Sequence, residues 1–363
     1  MQKWFRCLLA VVLLSISLSG CAAVKTEAAY SVYPVGYLLQ RLGGGVITAE
    51  SVQTDTIVQK STVVDNYQEI LDRSAIFFHI GQLEPYLTVY DQEIAAHVSS
   101  QQDLSILNAV YDNQRYTEAM PGDSSLFVES PYYDGEIFDS IDMDSQDLYL
   151  WLDPIAMLSM AKNVRDWLKQ TYSEYSSVFD TNFKSLETDL INIDAQYQAL
   201  ATSLDTNNQM IRFVSMSNSF GSWQKTYGFQ VYPVVLSKYG VLPDSRQLAA
   251  IEDRIKTDGV KYIVYEPNMT QDMIDLFNQI ETDLGLTRVE LSNLSSLTSD
   301  QETEGRDYVS IMYENLSVLQ SMVEDRPQTP SSSSGDTSET TETTETTDES
   351  ADTDSGTDSQ AEG

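Results

Sequence analysis

The sequence predicts an α/β protein of two lobes, each a parallel β-sheet with flanking helices, joined by one long linking helix. Three observations carry this. Short apolar runs alternate with helix-like stretches, the alternation occurs in two separate blocks, and a single long amphipathic stretch lies between them. In the first block, Tyr30 to Tyr33 reads as a strand and Val35 to Leu42 as a helix stopped by Gly43-Gly44-Gly45. These glycines follow a helix and precede a strand, the reverse of the order in a phosphate-cradling loop. Val46 to Val52 reads as a second strand, Asn66 to Arg73 as a helix, and Ala75 to Ile80 as a buried strand broken by Gly81.

Asp153-Pro154 predicts a helix start, with a carboxylate cap and proline where no donor is lost. Ile155, Leu158, Ala161, Val164 and Leu168 keep helical spacing behind it. Then Phe179, Phe183, Leu186, Leu190, Ile193, Tyr197 and Leu200 step by four and three residues in alternation. From about Glu174 to Leu200 this helix is roughly 40 Å long at 1.5 Å per residue. A coiled-coil strand is the competing reading, but no second heptad segment is present and β/α units lie on both sides, so the helix reads as a strut between lobes. In the second block, strands are expected at Ile211 to Met216, Phe229 to Leu236, Val260 to Tyr265 and Arg288 to Leu291. Helices are expected from Asn218 to Tyr227, from Asp244 to Gly259, from Thr270 to Gly285 and from Asp307 to Val323. In open parallel sheets the ligand crevice lies beyond the carboxyl ends of the strands.

The ends of the chain are of different material. Lys3 and Arg6 precede an apolar run, Leu8 to Leu18, that is too short to span a bilayer and ends in Leu18-Ser19-Gly20-Cys21. That order resembles the bacterial lipobox, which implies a signal peptide over 1–20, acyl chains on Cys21 and an extracytoplasmic protein anchored to the cell membrane. Each buried CH₂ contributes about 0.8 kcal/mol, so stable anchoring takes more than one chain. Cys7 and Cys21 are the two cysteines, so the mature fold has neither disulfide nor thiolate site. From Pro327 to Gly363 the chain is a Ser/Thr-rich acidic segment with ten carboxylates and no base, which cannot offset its ordering entropy by burial and reads as a disordered tail. With the tail and signal set aside, the net charge of −34 becomes −26 on residues 21–326, which excludes nucleic acid and anionic lipid surfaces as partners. The expected organisation is 1–20 signal, 21–29 tether, 30–173 N-terminal lobe, 174–201 linking helix, 202–326 C-terminal lobe and 327–363 tail.

Several short pieces share one order with a known family. Tyr33-Pro34, Leu42-Gly43-Gly44, and Gly81 with Leu83-Glu84-Pro85-Tyr86-Leu87 resemble the first lobe of the metal-binding lipoprotein subunits of zinc and manganese ABC importers. Trp151-Leu152-Asp153-Pro154 resembles that family's signature before the interlobe region, and Asn182 lies as in its linking helix. Phe220-Gly221, Tyr227-Gly228, Glu266-Pro267 and Gly305-Arg306-Asp307-Tyr308 resemble its second lobe. The resemblance implies the cluster A-I fold of solute-binding proteins, a divalent zinc or manganese ion as transported ligand, and an ABC permease and ATPase as partners.

The family's ligands are three histidines and an acidic residue. Carried over position by position, they fall near Gln59, on Tyr149, on Ser217 and, for the acid, on Glu266. None of the first three is histidine here. The resemblance therefore implies a cleft of Gln59, Tyr149, Ser217 and Glu266, with Glu266 the single metal-ligand candidate. Zinc favours imidazole and thiolate and takes about four protein donors, which this set does not supply, whereas oxygen donors suit a harder cation. His79 reads as a hydrogen-bonded histidine of an apolar strand and His97 as a surface helix residue. The function expected is that of a solute-binding lipoprotein of a metal ABC importer with a degenerate metal site. The alternative is a non-transporting surface lipoprotein for adhesion or envelope-partner binding. No nucleophile elbow, Gly-rich cofactor loop or metal motif points to an enzyme.

Overall fold

The computed structural model describes residues 28–106, 108–118 and 127–327. The signal segment, Cys21 and the acidic tail from 328 onward lie outside these residues, as does most of the tether. Among the described residues, no helix is long and apolar enough to cross a membrane.

Two four-stranded parallel sheets form the frame. The first contains β1 (Ala28–Tyr30), β2 (Ala49–Ser51), β3 (Ile76–His79) and β4 (Gln101–Asp103) in the order β2-β1-β3-β4. The second contains β5 (Arg212–Ser217), β6 (Gln230–Val235), β7 (Tyr262–Tyr265) and β8 (Thr287–Glu290) in the order β6-β5-β7-β8. The winding is the same twice: second strand, first, third, fourth. Each sheet therefore reverses direction between its first and third strands, where the carboxyl ends open a crevice.

Helices α1 (Tyr33–Gly43), α2 (Tyr67–Asp72) and α3 (Pro85–His97) flank the first sheet. The first strand is shorter than its sequence suggests. It ends at Tyr30, and Tyr33 is already helical, because Pro34 presets the first turn. Gly44 takes the left-handed conformation and its N–H caps Gln40 O, so the triple glycine ends a helix as expected. Helix α4 (Pro154–Thr171) is capped by Asp153, whose side chain accepts from the N–H groups of Ile155 and Ala156.

The linking helix, α5, runs Ser176–Thr206, beginning after a 3₁₀ turn and continuing five residues past the expected end. Its 31 residues reach about 46 Å. Six of the seven seam residues are buried; Leu200 is half-buried and Leu204 takes the next inward position. α6 (Gly221–Tyr227), α7 (Ser245–Thr257) and α8 (Gln271–Leu284) serve the second sheet, and α9 (Tyr308–Ser321) returns against α5. Asp244 closes a full capping box at α7, whereas the Thr270 side chain, expected to open α8, bonds Asp272 instead and caps nothing.

Strand alternation divides the core into three. Ile76 and Phe78 face one large apolar cluster, which holds α1, α4, α5, Trp151, Phe213, Trp223 and α9 and is continuous through both sheets. Phe77 points the other way, toward α2 and α3. Val214 and Met216 face a third cluster under α7 and α8. The linking helix is thus a shared core element, packed along its length on α4, α1 and α9. We expect Leu190→Ala to cost about 2–5 kcal/mol in a single cooperative transition. Ile191→Ala, at a 48% exposed neighbour, should stay within about 0.5 kcal/mol. Denaturant unfolding followed by tryptophan fluorescence checks both.

Candidate functional site

The second sheet delivers Ser217 at the carboxyl end of β5 and Glu266 just past the end of β7, the two strands that flank its direction reversal. Both side chains are fully buried. Ser217 N–H donates to Glu266 Oε1 at 2.8 Å, and Ser217 Oγ donates to Glu266 Oε2. Asn293 Nδ2 reaches the same Oε2 at 2.8 Å, and Ser219 Oγ lies 2.6 Å from Ser217 Oγ. Burial pushes the Glu266 carboxyl upward, and the Ser217 and Asn293 donors pull against that shift. As a metal-ligand candidate Glu266 thus stands alone, and its oxygens already serve as acceptors for the protein's own donors.

Two backbone outliers hold this corner. Asn268, two residues beyond Glu266, has φ 64°, and Leu294, beside Asn293, has φ 58°. A leucine in the left-handed region costs roughly 1–2 kcal/mol. Asn268 Nδ2 donates to Ser296 Oγ at 2.6 Å and to Leu297 O at 3.1 Å, while Leu294 N–H reaches Ser292 Oγ at 3.1 Å. These contacts lock the two loops together.

The first lobe meets this corner through backbone and indole. Tyr33 N–H donates to Ser295 O at 3.2 Å, Trp151 Nε1 to Asn293 O at 2.7 Å, and Ile57 N–H to Asn268 O at 3.3 Å. Lys60 pairs with Asp272 at 3.0 Å. Tyr149 is buried beside Trp151, with ring centroids 5.2 Å apart. Burial raises its phenol well above the ordinary range, and the carboxylates of Glu266, Asp144, Asp147 and Glu84 raise it further. Ser217 and Glu266 are thus joined directly, whereas no described hydrogen bond joins Tyr149 to either. Gln59, on the 3₁₀ turn Val58–Lys60, is buried with Oε1 unpartnered, and no described hydrogen bond joins it to the other three.

Asp147 explains a glycine. Its Oδ1 accepts from Tyr149 N–H at 3.0 Å, and its Oδ2 lies 2.6 Å from where a Cβ on Gly221 would stand. The Phe-Gly pair in the second lobe thus admits the close approach of a buried aspartate. Neither histidine reaches this region. His79 Nδ1 lies 2.9 Å from Gly81 O, and His97, the last residue of α3, pairs with Asp72 at 2.8 Å. Among the described residues, no three His, Cys, Asp or Glu side chains gather as a metal would require.

Sequence reasoning quoted Glu84 as part of a motif and gave it no role. It precedes α3, caps nothing, is fully buried, and neither carboxylate oxygen has a hydrogen-bond partner. Desolvation lifts it to about 7, opposed chiefly by the Ser31 hydroxyl. A glutamate before proline at a helix start reads as an ordinary cap, which is why the sequence conceals its burial.

Residues 29–322 match the family model described as ZnuA, the periplasmic component A of zinc-uptake complexes. The zinc-binding protein AdcA of Streptococcus pyogenes serotype M3 is 27% identical over 177 residues, 48% of this chain and 32% of that protein, so the match spans about a third of this relative's length. Among solved structures, AdcAII of Streptococcus pneumoniae aligns with TM-score 0.62 at 17% identity, covering 83% of this chain and 100% of that one. The laminin-binding protein Lmb of Streptococcus agalactiae, described as having adhesin and metal-transporting activity, aligns with TM-score 0.61 at 17% identity, covering 82% and 99%. At these identities the structural likeness bears on fold alone, and it agrees with the cluster A-I architecture expected from the sequence.

The buried acids generate a pH prediction. Glu84 rises from its usual 4.5 to about 7, and Asp147 from 3.8 to about 7, mainly by desolvation. A carboxyl raised in the folded state binds protons more tightly folded than unfolded. Its stabilising contribution is complete below pH 4 and is lost as pH climbs through 7. Stability should therefore fall between about pH 4.5 and 7.5, by on the order of 3 kcal/mol per group. Glu84→Gln should flatten part of that slope in urea midpoints measured across pH.

Proposed function

Because the chain belongs to the ZnuA family of zinc-uptake complex components, we propose that it acts as the extracytoplasmic solute-binding subunit of an ABC importer, presenting a divalent cation to a membrane permease and its ATPase. The family is one of binding components rather than enzymes. The single observation that carries the reading is the paired winding of two parallel sheets, with Ser217 and Glu266 at the reversal point of one and buried polar groups at the matching edge of the other. The absence of histidine at the three carried-over positions argues that the cargo is held by oxygen atoms. The acidic body supports this, since its field concentrates cations near the surface.

Titration calorimetry of the full chain in detergent micelles, with zinc and then manganese, tests the reading. Both ions should bind, within about tenfold of each other, because an oxygen-only site lacks the imidazoles that favour zinc. No heat and no thermal shift with any divalent ion would remove the cation from the proposal. An adhesive role on the same fold is the second reading, motivated by the lost histidines and by the adhesin description of the Streptococcus agalactiae neighbour. Pull-down from solubilised membranes separates the two, since a permease should co-purify with an importer subunit and not with an adhesin alone.

The proposal includes anchoring through lipid on Cys21, as the Leu-Ser-Gly-Cys order suggests. Cys21→Ser should shift the protein from the membrane pellet to the soluble fraction, read by immunoblot after ultracentrifugation.

A further inference from the structure

We propose that Glu84, with Ser31 and Gln59, forms an oxygen-donor wall through which the first lobe holds the divalent cation, so that Glu84 rather than Glu266 supplies the charged ligand. The inference rests on the cation-delivery reading above and names the residues that would carry it out.

The argument begins with the repeated winding. In the second lobe a serine ends the first strand and a glutamate follows the third: Ser217 after β5 and Glu266 after β7. In the first lobe Ser31 directly follows β1, while Glu84 lies farther on, past the end of β3 and at the start of α3, on the same carboxyl side of the reversal. Ser31 is held there by its N–H to Phe78 O at 3.1 Å and by Ser51 Oγ on its carbonyl at 3.2 Å. Its hydroxyl lies against the Glu84 carboxyl.

The two pairs differ in one respect. Glu266 accepts from Ser217 N–H, Ser217 Oγ and Asn293 Nδ2. Glu84 is fully buried, and its carboxyl has only the Ser31 hydroxyl and its own backbone N–H beside it, neither in good hydrogen-bonding geometry. Gln59 Oε1 is a further unpartnered buried acceptor, on a turn that packs against the helix Glu84 opens. Buried polar atoms are ordinarily satisfied, and one left without a partner is destabilising. Here Ser31 and Glu84 lie together beyond the sheet, and Gln59 lies on the 3₁₀ turn packed against α3. They are acceptors wanting a positive partner, in the all-oxygen chemistry that manganese, magnesium and calcium accept.

The test measures manganese and calcium affinity of the full chain in detergent micelles by titration calorimetry, for the native protein, Glu84→Gln, Ser31→Ala and Glu266→Gln, with thermal melts to confirm folding. Glu84→Gln keeps shape and removes charge, so manganese affinity should fall about tenfold or more. Ser31→Ala should weaken binding by less, about two- to fivefold. Folded Glu84→Gln and Ser31→Ala proteins that bind like the native chain would overturn the inference and leave the importer reading in place. So would a loss confined to Glu266→Gln, which would return the charged ligand to the second lobe. If the native chain binds no divalent ion, the inference and the cation reading fall together.

Discussion

The structure depends on how one tryptophan is pinned between the lobes. Trp151 is fully buried, donates its indole N–H to Asn293 O at 2.7 Å, and accepts on its carbonyl from Tyr308 OH at 2.6 Å. One residue further, Leu152 O accepts from the Trp223 indole at 2.9 Å. Three elements of the second lobe are thereby tied to a single turn of backbone that also starts α4. Hydrogen bonds inside an apolar cluster are strong because water cannot compete, and losing one partner strands the other. The Trp-Leu-Asp-Pro run therefore joins a clamp to a helix start: two residues hold the far lobe and the next two launch α4.

Pinning has a consequence for the crevice. The apolar cluster along α5 is continuous through both sheets, so the halves cannot part without exposing it. Motion that admits or releases a ligand must then be confined to the edges, where Tyr33 meets Ser295, Ile57 meets Asn268 and Lys60 meets Asp272, with Ile57 itself buried in the second lobe's apolar cluster. These are the elements that carry Ser31, Gln59 and the Glu266 loops. Rigidity of the frame follows from that distribution of apolar surface.

Much of the fold was legible because its signals are local. The four-three alternation from Phe179 to Tyr197, the Asp153 cap and the glycine stop at Gly44 each depend on residues within a turn or two, and the structure has them as read. The errors are also local. Tyr33 looked like strand because it is aromatic and follows apolar residues, and Pro34 overrode that preference. The site was less legible, because burial is a property of the assembled chain. Ser217 with Glu266 came from position alone. Nothing near Glu84 in sequence distinguishes it from a solvent-facing cap, and only the packing of Ser31 and α3 around it removes its water. Gln59 was found by its place in the family pattern, and the structure adds that its acceptor oxygen is buried and unpartnered.

The electrostatics follow from that burial. A body carrying −26 on residues 21–326 draws cations to its surface at no cost in specificity. If the crevice carboxylates were also fully ionised when empty, their mutual repulsion and desolvation would oppose the packed interlobe contacts. Burial raises the Glu84 carboxyl from its usual 4.5 to about 7, so near neutral pH it carries only part of a full charge. Glu266 is restrained differently, by donors that surround its oxygens. One acid is partly neutralised by proton uptake, and the other is held by hydrogen bonds. Protonation yields readily to an arriving cation, whereas a hydrogen-bonded carboxylate must first break its contacts with Ser217 and Asn293. The physical asymmetry between the two buried glutamates therefore assigns them different work: Glu266 braces the second lobe's corner, and Glu84 remains available.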